Sequence, residues 1–236
     1  ISNHFLLQDS QGDLYVVFED KQETLYGTYG KVYVKKFNGQ TWEDYDRAGG
    51  IFCSLIGAEI STTDEINIGC AFMSEETGEE YAFVRSLSSN LTNWDSVGST
   101  VPGSLNQDLK FFLDKNNVPY LSLKNFDGNI EIRRYLNGEW QLINNTFNVR
   151  FNYDIAFDSN NNLYLGFDNS DYNLKVFKYA DSSWQDLNFD GPMSTTYYDL
   201  DLAIDQNRLL VLHSYRDGVL TPFSIKEYID SSWVSL

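Results

Sequence analysis

The chain has 236 residues, 42% hydrophobic and 16% aromatic, enough apolar material for a sizeable core in one large β domain or two small ones. It carries 17 Lys and Arg against 34 Asp and Glu, a formal net charge of −17. No basic stripe offsets that charge, so nucleic acid and anionic membrane surfaces are excluded as partners, while cations, neutral sugars and basic proteins stay open.

In chain order, the first apolar stretch, HFLLQ, runs into the polar turn of DSQGDLYVVF, whose second half alternates as a strand does. After the loop EDKQETLYGTYG comes a third strand, KVYVKKF, then the turn NGQT and Trp42. The second segment repeats the order as FCSLIGAE, STTDEINIGCAF (with no leading Asp), YAFVRSL and the outlying SLSSNLTNW that ends on Trp94. The third reads DLKFFL, DKNNVPYLSL and IEIRRYLNGEW. The fourth reads YDIAF, DSNNNLYLGF and LKVFKYADSSW, and the fifth YDLDLAI, DQNRLLVLHS and FSIKEYIDSSW.

The five tryptophans stand at 42, 94, 140, 184 and 233, spaced 52, 46, 44 and 49 residues apart. Five residues before four of them is an aromatic, Phe37, Tyr135, Tyr179 and Tyr228, with Asn-Gly or Asp-Ser between, the chemistry of tight hairpins. Each unit is therefore strand, Asp-rich turn, strand, loop, strand, tight turn, Trp strand: four strands in about 45 residues, the period of propeller blades. No sustained 3.6-residue apolar stripe appears, so helix is expected to be scarce. One four-stranded sheet cannot cover both its faces, whereas several packed side by side can. A β-sandwich or a run of separate hairpins is the alternative.

The repeat resembles that of β-propeller proteins, in a five-bladed count, and within them the exported bacterial type D-x-N-G-x-x-Y-V … K-Y-N-G-x-x-W. The matching stretches are DSQGDLYVVF with KVYVKKFNGQTW, and DKNNVPYLSL with IEIRRYLNGEW. The resemblance implies an all-β, single-domain five-bladed propeller over 1–236, with blades at about 1–49, 50–103, 104–147, 148–193 and 194–236. The chain begins on a first strand and ends on a fourth. On that count no blade is completed by exchange between termini, and closure would rest on packing of the first and last blades. Tachylectin-type lectins are also five-bladed, but their Trp-containing sugar motifs are absent. Furanosidase-type glycosidases place catalytic carboxylates on inner strands, yet this chain has no Glu at the corresponding positions.

In a propeller the first strand of each blade lies nearest the axis. Counting back six residues from Asp9, Asp114, Asp158 and Asp205 gives Asn3, Asp108, Asn152 and Asp199; counting back four gives Phe5, Lys110, Asp154 and Asp201. Period-two alternation puts these on one face, the intervening apolar residues on the other. The candidate channel residues are Asp108, Lys110, Asn152, Asp154, Asp199 and Asp201. They suit a hydrated channel, an oxygen-ligand Ca²⁺ or Na⁺ site, or a sugar cleft whose carboxylates act as acid and base. No organic cofactor is expected, and Ca²⁺ is the metal this set would suit. DSQGD and DSNNN resemble calcium loops but lack the distal Glu, and Asx-turns account for them.

The longer, more varied loops are where function is expected, on a rigid scaffold. The recurrent Trp signature reads as packing, so the non-repeating residues there are the better contacts: Tyr45, Arg47, Asn145, Arg150, Tyr153, Asp190, Tyr197 and Tyr198, with Phe147, Phe151 and Tyr172 near them. Aromatics beside planar polar groups serve neutral-sugar recognition and protein interfaces alike.

Cys53 and Cys70 make no C-x-x-C; they fall on adjacent strands, where a disulfide and two buried thiols are both open. His4 and His213 have no Ser or Cys motif beside them. Asn90-Leu-Thr and Asn144-Asn-Thr are glycosylation sequons if the source is eukaryotic. No apolar run reaches the about 18 residues of a membrane helix, so no membrane insertion is expected. ISNHFLLQDS lacks a basic segment, so no signal peptide is visible, although a thiol-poor acidic β chain suits export. The expected role is a non-catalytic, secreted or cell-surface binding module for glycan or protein. A glycoside-processing enzyme and a structural segment of a larger surface protein are the alternatives.

Overall fold

The computed structural model describes residues 3–24, 27–45, 50–74, 76–87, 93–103, 109–124, 127, 129–143, 147–150, 152–171, 173–189, 197–205, 208–215 and 223–236. Among them there is no helix. The first sheet is a meander of β1 (His4–Gln8), β2 (Leu14–Thr24), β3 (Gly27–Phe37) and β4 (Trp42–Asp44), with the short β5 (Ile51–Phe52) added beside β3. The second is β6 (Ser54–Ile60), β7 (Ile66–Met73), β8 (Glu80–Leu87) and β9 (Trp94–Pro102). The third is β10 (Lys110–Leu113), β11 (Pro119–Lys124), β12 (Asn129–Leu136) and β13 (Glu139–Leu142), with β14 (Phe147–Asn148) paired to β12. The fourth is β15 (Tyr153–Phe157), β16 (Leu163–Asp168), β17 (Leu174–Ala180) and β18 (Ser183–Asp186). The fifth is β19 (Tyr197–Asp205), β20 (Arg208–Tyr215), β21 (Phe223–Ile229) and β22 (Ser232–Ser235).

The architecture is thus all-β, five sheets built on the same antiparallel four-strand order, as the repeat predicts. Compact packing divides the chain into two units: Ile1–Phe126 with Glu131–Ile143, and Asp127–Ile130 with Asn144–Leu236.

In four of the five repeats the aromatic and the Trp sit directly opposite each other across a hairpin, and in the second Leu87 takes the aromatic's place opposite Trp94. Phe37 pairs Trp42, Tyr135 pairs Trp140, Tyr179 pairs Trp184 and Tyr228 pairs Trp233, with ring centroids 5.2, 5.3, 5.1 and 4.9 Å apart. Such cross-strand aromatic pairs set the register. The turns between them hold Asn137 and Gly138, Asp181 and Ser182, Asp230 and Ser231 all at positive φ, the conformation of a type I′ hairpin.

The Asp-led turns are Asx-turns. Asp158 Oδ1 accepts the N–H of Asn160 and of Asn162, both at 2.9 Å, while Oδ2 takes the Asn162 amide at 2.7 Å and the Tyr164 hydroxyl at 3.1 Å. Asp9 does the same with Gln11, Asp13 and Tyr15. In the second sheet Ser61 replaces the Asp, its Oγ accepting from Thr63 and Glu65. Neighbouring turns in the first unit are joined at their tips: Ser10 N–H donates to Asp64 at 2.8 Å and Thr62 N–H to Asn117 at 2.8 Å. Both acceptors are in the left-handed region, at φ 62°.

In the first unit one core packs the first sheet on the second (Tyr15, Val17, Val32 and Val34 with Leu55 and Ile68), and another packs the second on the third (Val84 and Val101 with Phe111, Leu121 and Leu123). In the second unit Leu174, Val176 and Leu187 pack on Leu200, Leu202 and Val211. Cys53 and Cys70, both fully buried, are joined as a disulfide with Cα atoms 5.7 Å apart. The pairing of Leu55 with Cys70 puts Cys53 diagonally across from its partner on the same face, so the bridge replaces the pair of buried thiols that was the other expectation.

Candidate functional site

A strand's side chains stand perpendicular to its sheet, so the innermost strands point theirs at the sheets on either side. Phe111, three residues before Asp114, faces the second sheet: a Cβ added to Gly57 or Gly69 would fall 2.9 or 2.3 Å from its Cβ. Leu202, three residues before Asp205, lies over Gly166 of the fourth sheet, 3.0 Å from where a Cβ would be. In these two sheets the odd offset therefore faces the preceding sheet of the same unit, and the even offset lies on the other face.

Asp154 sits opposite Gly166, and its Oδ2 accepts the Leu202 N–H of the next sheet at 2.8 Å. Leu202 is on the edge of its own sheet, so that N–H has no ladder partner on this side, and the carboxylate supplies one. Asn152 is held just beyond β15: its N–H donates to Asp168 Oδ1 at 2.6 Å, and its carbonyl accepts the Asp168 N–H at 3.2 Å. Arg150 N–H donates to the Asp168 carbonyl at 2.8 Å. Asp201, exposed on β19, pairs with Leu212. Arg150 and Asn152 are thus both joined to Asp168 by hydrogen bonds within the second unit.

In the first unit Lys110 is half-buried and pairs with the buried Ser122. Asp108, Arg47, Asn145, Asp190, Phe151 and Tyr172 lie outside the described residues, as do the side chains of Tyr197, Tyr198 and Asp199. Tyr153 is buried. Tyr45 packs edge-on against Tyr15, ring centroids 4.8 Å apart, and Phe147 sits among Phe167, Phe177 and Trp184. Both rings therefore belong to packed aromatic clusters.

Sequence reasoning missed several buried charged residues, three of them at equivalent places in their repeats. Glu19, Lys124 and Asp168 each stand ten residues after a turn aspartate, directly after the apolar runs LYVVF, PYLSL and LYLGF. A charge at the same place after each apolar run was the available signal. Glu19 Oε2 takes the Leu55 N–H at 3.4 Å, and Asn3 Nδ2 donates to the Leu55 carbonyl at 2.6 Å, so the next sheet's edge strand is again met by polar side chains. Gly30 makes room for Glu19, since a Cβ there would lie 2.0 Å from its Cγ.

The turn carboxylates are similarly engaged. Burial alone would raise the pKa of Asp158, but the donors from Asn162, Asn160 and Tyr164 outweigh it and hold it below the usual carboxylate value. Among the described residues no three His, Cys, Asp or Glu come together as a metal-binding group.

No family model and no curated protein matches the chain. Solved structures do. Trypanosoma rangeli sialidase, in complex with sialic acid, superposes with a TM-score of 0.57 at 9% identity, over 96% of this chain and 44% of the sialidase. An α-L-arabinofuranosidase from Fusarium graminearum gives 0.54 at 11% identity, over 95% of this chain and 75% of the enzyme. Aleuria aurantia lectin, in complex with Fucα1-6GlcNAc, gives 0.52 at 12%, over 99% of this chain and 78% of the lectin. The chain thus spans less than half the length of the sialidase. At these identities the likeness establishes a β-propeller fold and nothing of the chemistry.

Proposed function

We propose that this chain is a non-catalytic glycan-binding module of an exported or cell-surface protein. The observation that carries the reading is the engagement of the carboxylates: Asp154 holds the Leu202 N–H, Asp168 the Asn152 N–H and Glu19 the Leu55 N–H. A glycosidase needs a carboxyl pair facing substrate across an open cleft. Here these groups brace the edges of neighbouring strands. The kinship in fold with a fucose-bound lectin and with sugar-processing enzymes supports a glycan as the ligand class. Contacts are assigned to Arg150 and to Asn145, Asp190, Tyr197 and Tyr198, which share its part of the sequence.

A glycan array run with and without Ca²⁺, followed by incubation of each bound glycan with the protein, tests this. The expected result is retained binding with no sugar released. Release that Asp154→Asn abolishes would make the chain a glycosidase. An empty array would end the glycan reading, and a protein ligand would then take its place.

A further inference from the structure

Asn-Gly occurs twice in the chain, at Asn38-Gly39 and Asn137-Gly138, each time in the tight turn before a Trp strand. The fold holds the two differently. At the first, the carboxamide is tied at both ends. Asn38 Oδ1 accepts the N–H of Gln40 at 3.0 Å and that of Thr41 at 2.8 Å. Its Nδ2 donates to Thr41 Oγ1 at 3.2 Å and to the Glu43 carboxylate. At the second, Asn137 and Gly138 are both exposed, at φ 55° and 87°. Neither the Asn137 carboxamide nor the Gly138 N–H meets a hydrogen-bond partner among the described residues.

We infer that Asn137-Gly138 is a site of spontaneous deamidation, with water as the co-reactant, and that Asn38 is protected from the same reaction. Base takes the Gly138 amide proton, and the nitrogen's electron pair forms a bond to Asn137 Cγ. The Cγ–Nδ2 bond breaks and Nδ2 leaves as ammonia with a proton, closing a five-membered imide. Water then opens the ring on one of two sides. Cleavage of the new Cγ–N bond leaves aspartate. Cleavage of the original peptide C–N bond leaves isoaspartate, with the chain running through Cβ and Cγ. One water is consumed, one ammonia is released and nothing is oxidised. Glycine in the second position has no Cβ to crowd the attacking nitrogen. The attack also needs the carboxamide to turn its face to that nitrogen, which the Asn137 side chain is free to do and the Asn38 side chain is not.

The two products differ in what they do to the third sheet. Asp181 and Asp230 hold the equivalent place in the fourth and fifth repeats, at φ 49° and 47°, so this hairpin accepts aspartate. Isoaspartate adds a methylene to the backbone of a two-residue turn. The cross-strand pairs Leu136–Glu139 and Tyr135–Trp140 then lose their register. Tyr135 and Trp140 pack on Gly98 of the second sheet, where a Cβ would lie 2.5 Å from the Tyr135 ring and 2.9 Å from the Trp140 indole nitrogen. That indole donates to the Ser99 carbonyl at 2.9 Å. The isoaspartyl chain therefore loosens the joint between the second and third sheets, within the first unit.

Ageing of the purified chain in warm, mildly alkaline buffer, followed by peptide mapping with mass spectrometry, tests the inference. Asn137 is expected to convert about tenfold faster than Asn38, the factor given by about 1.4 kcal/mol of hydrogen bonding that must first be broken. In urea the two sites convert at similar rates, which separates the effect of the fold from that of the dipeptide. Thr41→Val with Glu43→Ala frees the Asn38 amide nitrogen and brings its rate in the folded chain toward that of Asn137. Methyl transfer by an isoaspartyl methyltransferase counts the isoaspartate. The aged chain melts below the fresh one, whereas Asn137→Asp melts with the fresh one. Conversion of Asn38 as fast as Asn137 in the folded chain overturns the inference, as does an Asn137 left intact in the folded chain over a time in which both sites convert in urea. An isoaspartyl chain that melts like the fresh one overturns the loosening of the joint.

Discussion

Glu59 offers a direct test of how burial is distributed in the second sheet. It lies on β6 opposite Asn67, half-buried, at a place where the other repeats hold Leu7, Phe112, Ala156 and Ala203. No hydrogen bond or ion pair reaches its carboxyl among the described residues, and burial pushes its pKa from 4.5 up to about 7. Because the folded value lies above the unfolded one, the penalty is absent below pH 4.5 and complete above about pH 7, so stability falls as pH rises through that window. The displacement corresponds to about 3 kcal/mol, reduced to about 2 kcal/mol by solvent screening of a partly exposed group. Glu59→Gln removes the charge and keeps the shape. Urea unfolding of both proteins from pH 4 to 8 should give equal pH dependence elsewhere and a difference between them that grows with pH, the Gln variant ending about 2 kcal/mol more stable. A difference that is the same at pH 4 and pH 8 would refute the reasoning.

Gly69→Ala should cost about 1–3 kcal/mol by overpacking, because its Cβ would fall 2.3 Å from the Cβ of Phe111, which cannot move without its backbone. Gly166→Ala should cost less, since it meets only the Leu202 methyls at 3.0 Å; denaturation midpoints in the reverse order would contradict this. Asp158, held below its usual value of 3.8, stabilises the fold above that pH and loses the contribution as pH falls further. Asp158→Ala should therefore be less stable at neutral pH and lose less on acidification, read from melting temperatures between pH 6 and 2. His213 is fully buried, and burial first, then Lys226, lowers its pKa below 6.5. An unfolded chain takes up that proton before the folded one, so stability is lost as pH falls below 6.5. His213→Phe should flatten that part of the profile, and an unchanged slope would show that the imidazole is not buried neutral.

Much of the scaffold was legible in the sequence because its signals are local. The aromatic, the two turn residues and the Trp of NGQTW, LNGEW and DSSW lie within one hairpin, so propensity and register are settled there. The Asp turns are local too: Asp9 and Asp158 satisfy donors two and four residues on. The disulfide was not decided that way, since free thiols and a bridge suit the same two strands until a register is known. Glu19, Lys124 and Asp168 were overlooked because they were weighed as single charges, although their common place after the turn Asp was there to be read.

By itself the sequence determined an all-β chain of five like units, the strand order within each, and which residues of every strand share a face, since those follow from turn chemistry and a two-residue period. Only the tertiary structure decided what the faces meet. Asp154 finds its partner 48 residues away in Leu202, and Trp233 its acceptor 46 residues away in Leu187. Whether a carboxylate braces a neighbouring strand or stays free for a ligand depends on which edge N–H packing brings beside it, and a repeat period does not record that.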